Sequence, residues 1–343
     1  MIRRWLRGPW LYIALIVLLA VLYAPILHMQ ALPPLQGQEA TPAPQHLEWW
    51  PKQLDAPAIQ HVVEQEPWLM IWLSLLGTLM VGFGLCGLCL TVWSLGPGRL
   101  SAAQVRMYRV PPWSFGDLGR IAALTMIAAG LLPFARVALI AFQLSEPPDA
   151  HVWLTSSMLW LDAFVILTIL AFAAGKRAAF GRSIRHPSVM LFDAFRSYLT
   201  AFPWLFIILF LIVEVVRMYG WTPPYEPIQE LIFGEQRPWV LALTMLLACV
   251  VGPVAEEMFF RGVLYGAIRY RASRRTAMLT SAAAFAALHA NPVGFFPIMA
   301  LGLLLVHVYE RTGSLLASIF IHIVHNTILM SFALLLRGLL TYA

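Results

Sequence analysis

Long unbroken apolar runs separated by short polar breaks dominate the chain, with neither the alternation of a strand nor the half-polar pattern of a surface helix. A lipid-crossing helix needs about 20 mostly apolar residues. Runs of this kind fall at roughly 10–27, 68–95, 121–143, 152–174, 199–216, 238–268, 277–290, 295–310 and 315–336. The seventh and eighth are short, which predicts incomplete spans whose ends are buried in protein or line a wet cavity. The pattern predicts an all-α fold, a polytopic transmembrane helix bundle of about eight to nine spans. The first run follows a basic start (MIRRWLRGPW), is longer than a signal-peptide core and lacks a small-x-small site, so it reads as an uncleaved anchor. Residues 28–67 are Pro-rich and acidic and predict a tethered outer loop, with Trp49 and Trp50 placed to touch the membrane interface or a partner.

Composition sharpens this picture. Apolar residues make up 60% of the 343 and charged residues 12%, against about 25% charged in soluble domains. Such a chain cannot cover a water-facing surface. The net charge of +6 resides in short loops rather than in a patch, which argues for membrane orientation and against nucleic acid. Counting Lys and Arg in alternate loops gives seventeen on one side, from Arg3 through Arg311, and four on the other: Lys52, Arg217, Arg237 and Arg337. That bias predicts nine spans, a cytoplasmic N-terminus and residence in the cytoplasmic (inner) membrane. The three cysteines lie in apolar runs. Cys86 and Cys89 form a lone CxxC on a Gly-rich helix, read as packing rather than redox or metal chemistry.

Ionisable groups at mid-membrane are costly and hence candidates for function. Arg136 and Glu214 both fall toward the outer ends of their runs and are expected to pair with each other. Asp162 lies mid-span with no assignable role. The segment VVGPVAEEMFFRGVLYG is richer. Glu257 and Arg261, four apart, share a face and are expected to form an ion pair. Glu256 is rotated about 100° away and is left to face a cavity as a candidate general base. Gly252-Pro253 should kink this helix and free a backbone carbonyl. Phe285 and His289 are four apart on one helix, His322 and Asn326 four apart on another, with His325 within reach of the same side. Counted from the basic loops at 1.5 Å per residue, Glu256 and His289 lie about 20 Å deep and His322 about 14 Å deep, so three helices bring them to a common level.

This sequence resembles the CPBP family of CAAX proteases and bacteriocin-processing, Abi-like membrane enzymes. The resemblance rests on EExxxR at Glu256-Glu257 to Arg261, FxxxH at Phe285 to His289, and HxxxN at His322 to Asn326, in that order. It covers roughly 199–336 and divides the chain into N-terminal helices with the outer loop (1–198) and a CPBP-like core (199–343). It implies intramembrane peptide-bond hydrolysis. Glu256 would activate water, His289 would help to hold it, His322 and Asn326 would stabilise the oxyanion, and Arg261 would fix Glu257 in support, with Phe285 alongside.

No HExxH, GxGD or GxSG element is present. A metal-free mechanism without cofactor is expected, with zinc held by Glu256, His289 and His322 as the alternative. The expected substrate is a membrane-anchored protein or peptide. A non-proteolytic scaffold or chaperone of the same fold, and a proton- or ion-coupled transporter, are the competing readings.

Overall fold

A computed structural model describes Val17 and residues 56–94, 113–142, 149–174, 176, 180, 186–220 and 227–342. Apart from Val17, the expected first span, the basic N-terminus and the tryptophans at 49 and 50 lie outside the described residues. The described chain is helical: α1 (Ala56–Gln65), α2 (Pro67–Ser94), α3 (Phe115–Ala141), α4 (Ala150–Ala173), α5 (Pro187–Met218), α6 (Pro227–Gly234), α7 (Pro238–Arg269), α8 (Arg274–Leu288), α9 (Phe295–Thr312) and α10 (Leu315–Tyr342). Seven of these, α2 to α5, α7, α9 and α10, are long and apolar enough to cross a membrane. The chain is an integral multi-pass membrane protein.

Two differences from the sequence expectations have simple causes. The end of the 28–67 loop is helical, as α1. The segment 227–234 forms α6, a helix too short to span and opened by Pro227 at its first position, where the missing N–H costs nothing. As its short run predicts, the expected seventh span is the 15-residue α8, a half-helix whose own length cannot cross a bilayer, whereas the eighth, α9, is long and apolar enough to cross.

Arg136 and Glu214 do not pair. Glu214 binds Arg217 one turn on at 2.6 Å, and the Arg136 guanidinium lies over the Trp153 ring at 5.8 Å. The nearer partner on its own helix wins because it needs no second helix to present it. In α2, Gly87 does the packing, since a Cβ there would come within 2.1 Å of the Leu199 carbonyl oxygen. Cys86 and Cys89 beside it are exposed, so the small residue that lets α2 and α5 meet lies between the cysteines rather than at them.

Two apolar cores hold α7 to α10 in place. One gathers Ile121, Val165 and Ile169 of α3 and α4 around Met258, Val263 and Tyr265 of α7. The other gathers Tyr198 and Phe202 of α5 around Leu301, Leu305 and Ile321 of α9 and α10. Arg269 and Arg274 meet Glu310 at 3.2 and 3.5 Å at one end of the bundle. Arg237 meets Asp149 and Glu235 at the other.

Candidate active site

Helix α7 is not a regular α-helix. Leu247–Val251 and Met258–Leu264 are π-helical and flank Glu256 and Glu257, the kind of irregularity that recurs at functional sites. The first has a readable cause. The Gly252 N–H reaches back five residues to the Leu247 carbonyl. In that register the next carbonyl, Ala248, faces residue 253, a proline without an N–H. Asn326 of α10 supplies the missing donor, its Nδ2 lying 2.9 Å from the Ala248 oxygen. The freed carbonyl expected from Gly252-Pro253 is thereby identified, and Asn326 is tied to α7. In the second π segment, the Ser281 hydroxyl of α8 donates to the Phe260 carbonyl at 3.2 Å.

The adjacent glutamates diverge as the helical rotation requires. Glu257 is fully buried and contacts Arg261 at 2.6 Å. Arg261 also lies 4.4 Å over the Phe285 ring and donates to the Gly302 carbonyl at 3.3 Å. Glu256 makes no ion pair with a Lys or Arg among the described residues and lines a cavity of about 420 Å³ with its side chain one-third exposed. Asp162, His289, His322, His325 and Asn326 share that wall, with Met158, Leu247, Ile298 and Leu301 among its apolar members.

His322 is 2% exposed and sits between the two glutamates, Nδ1 3.0 Å from Glu257 Oε1 and Nε2 3.6 Å from Glu256 Oε2. His289 caps α8, and Ala290 directly after it takes a left-handed φ of 51° that ends the helix. Its Nδ1 is 2.8 Å from the Phe285 carbonyl oxygen. That oxygen only accepts, so Nδ1 carries the proton and the Nε2 lone pair of the neutral ring is free. His289 itself stays exposed at the cavity rim. Phe285 is wedged edge-on between both rings, 4.7 Å from His289 and 5.8 Å from His322, so it fixes their spacing.

The structure thus brings together every residue of the three motifs. Sequence reasoning left one member unassigned: Asp162, from a helix outside the motifs. Its mid-span charge was the signal, but no periodicity tells which neighbour a helix faces. His325 lines the cavity too, with its Nδ1 3.3 Å from the Tyr198 hydroxyl.

A zinc site of Glu256, His289 and His322 was tested against this geometry. Both imidazoles do have an acceptor behind Nδ1, as metal-bound histidines require. The ligand atoms of the three are not all within 4.8 Å of one another, however. Among the described residues that condition is met by Asp149, His151 and Glu235 at the end of the bundle, whose carboxylates already bind Arg237 at 2.6 Å. The three mid-membrane residues do not fit as a metal set in this arrangement.

Comparison with known proteins finds likeness over the segment that carries these motifs. The family model described as Type II CAAX prenyl endopeptidase Rce1-like matches residues 238–328. A Bacillus subtilis (strain 168) protein named "Putative membrane peptidase YdiL" is 31% identical over 85 residues, a stretch covering 25% of this chain and 35% of that protein. The chain therefore matches about a third of the length of that curated relative. No solved structure matches. The matched segment, residues 238–328, holds all three motifs, and over it the chain is similar to this type II CAAX endopeptidase family model.

Proposed function

We propose that this protein is an intramembrane endopeptidase that hydrolyses a peptide bond in a membrane-anchored protein or peptide, using water activated by Glu256 and no metal. The observation that carries the reading is the split between neighbouring carboxylates. Arg261 occupies Glu257, whereas Glu256 faces the cavity with an imidazole at 3.6 Å and no ion-paired Lys or Arg among the described residues.

In the proposed reaction Glu256 accepts a proton from water as the water oxygen attacks the scissile carbonyl. His289 helps to hold that water through the free Nε2 lone pair. His322, its Nδ1–H donating to Glu257, can donate from Nε2 toward the developing oxyanion when that nitrogen also carries a proton. Asn326 has one amide N–H left after bonding Ala248 and adds to the same stabilisation. The Glu257–Arg261 pair and Phe285 hold His322 in register. The apolar remainder of the cavity suits a substrate that arrives through lipid.

The test is a knockout strain complemented with wild type or with Glu256→Gln, comparing the termini of membrane proteins. The expected result is at least one membrane-anchored protein trimmed only with the wild type. Normal trimming by a well-expressed Glu256→Gln protein would reject the protease reading. A phenotype rescued by that variant would instead favour a scaffold. Cleavage in isolated membranes should persist with a zinc chelator, and its loss would reject the metal-free mechanism.

A further inference from the structure

His325 has no part in the proposed hydrolysis, yet it lines the same cavity as Glu256. Its partner comes from α5, outside the segment that the family model matches. The Tyr198 hydroxyl stands 3.3 Å from His325 Nδ1, and the two rings meet edge to face with centroids 6.0 Å apart. Tyr198 is 0% exposed, and Phe195 and Phe202 pack against its ring at 6.4 and 5.6 Å. The phenol is therefore held in place.

The contact decides which nitrogen of His325 carries a proton. A buried hydroxyl whose proton finds no acceptor bears the full desolvation of that group. Among the described residues, the Tyr198 hydroxyl has one hydrogen-bond partner, His325 Nδ1. A proton on Nδ1 would leave the phenolic proton without an acceptor, so Tyr198 donates and Nδ1 accepts. A neutral imidazole that accepts at Nδ1 carries its proton on Nε2. Among the described residues Nε2 is neither hydrogen-bonded nor sealed in protein, so it is a donor open to the cavity that His325 lines. His289 is the opposite case, since its Nδ1 donates to the Phe285 carbonyl and Nε2 keeps a lone pair.

The charges of the wall say what such a donor meets. Asp162 and Glu256 line the cavity, and no Lys or Arg does among the described residues. Arg261 is 1% exposed and held by Glu257. A terminal carboxylate or a phosphate would face carboxyl groups without a counter-charge, whereas an uncharged backbone carbonyl suits a neutral N–H. His322 and His325 are three residues apart, about 4.5 Å along α10, on the scale of the step of about 3.3 Å in an extended peptide. With His322 at the oxyanion, His325 falls beside the carbonyl of a neighbouring residue.

We propose that His325 is a substrate-binding residue, a neutral imidazole set by Tyr198 to donate from Nε2 to an uncharged backbone carbonyl beside the scissile bond. The inference rests on the protease reading for its ligand but not for the protonated nitrogen. That carbonyl gains no charge during hydrolysis, so the bond is made equally in bound substrate and transition state. It governs affinity rather than turnover.

The experiment uses the full-length protein with isotope-labelled histidine in lipid nanodiscs, read by nitrogen NMR at neutral pH. The His325 signals are assigned by their loss in His325→Gln. They should show Nε2 protonated and Nδ1 accepting, and Tyr198→Phe should bring up the Nδ1-protonated form. A wild-type ring protonated at Nδ1, or a tautomer indifferent to Tyr198→Phe, overturns the proposal. Kinetics then use a peptide copied from the terminus trimmed in the strain comparison. An asparagine amide lies near the place of histidine Nδ1, and a glutamine amide near that of Nε2. His325→Asn should raise KM about three- to tenfold with kcat nearly unchanged, and His325→Gln should restore part of the affinity. A histidine needed only to satisfy Tyr198 predicts the reverse order. That reverse order, or an unchanged KM in His325→Asn, defeats this inference and leaves the protease reading intact. Should His325→Asn not purify, Tyr198→Phe carries the same KM test with a smaller expected rise. Normal trimming by Glu256→Gln defeats the protease reading, and with it the substrate role of His325 whatever its tautomer.

Discussion

Arg237 at one end of the bundle and Arg261 at its middle each hold a carboxylate at 2.6 Å. Distance does not distinguish them, but surroundings do. The Arg237 side chain is 39% exposed and serves Asp149, 53% exposed, as well as Glu235. Arg261 and Glu257 are 1% and 0% exposed. Water reaches Arg237 and Asp149, and the 3%-exposed Glu235 would keep the backbone N–H groups of Gln236 and Arg237 if the guanidinium were lost. Nothing solvates the second, so its geometry is enforced by the cost of leaving a bare charge behind. The end cluster ties α4 to the start of α7, and the buried pair aims His322 at Glu256.

Breaking the buried pair should have the larger effect. Arg261→Met leaves Glu257 uncompensated and should destabilise the protein by about 3–5 kcal/mol, measured by denaturation in detergent or bicelles. The Glu257→Gln/Arg261→Met double variant should recover much of that loss while processing stays impaired. Glu257 Oε2 and Arg261 Nε already lack hydrogen-bond partners, so the pair serves orientation more than stability. Equal stability of single and double variants would contradict this.

A smaller effect is expected at Asn326. Asn326→Leu leaves the Ala248 carbonyl without its donor and should cost about 1–3 kcal/mol, read in the same unfolding assay. Asn326→Gln should recover little, because its longer arm displaces the amide.

The smallest effect at neutral pH belongs to Arg237→Gln, which should lower the melting midpoint only modestly because His151 and the backbone N–H groups of Gln236 and Arg237 still hold the buried Glu235 carboxylate. Acid reveals it. Hydrogen bonds from Arg237 hold the Glu235 carboxyl at about 2, below its ordinary 4.5. A carboxyl depressed in the folded state contributes stability that is present above 4.5 and lost as pH falls through about 2. The wild type should therefore lose stability across that window, and Arg237→Gln should lose less. Parallel melting curves for the two proteins would contradict the assignment.

Much of the site was legible in the sequence because its geometry is local. The spacing of Glu257 to Arg261, Phe285 to His289 and His322 to Asn326 sets shared helix faces, and counting inward from the basic loops sets depth. Both held: His322 Nε2 meets Glu256 at 3.6 Å across two helices. The expected Arg136–Glu214 pair failed because depth was known but azimuth was not, and Arg217 on the same helix was the nearer partner. Helix α6 was missed because eight residues are too few to register as a span.

The amino-acid order alone determined that the chain is a helical membrane protein, which carboxylate Arg261 takes, and where a proline frees a carbonyl. Each of these depends on composition or on neighbours within about one helical turn. Only the tertiary structure decided that Asn326 donates to that carbonyl, that His322 lies between two glutamates and that Asp162 lines the same cavity as Glu256. Those contacts depend on how separate helices rotate about their own axes, and in lipid that rotation is set by packing, which no single helix encodes.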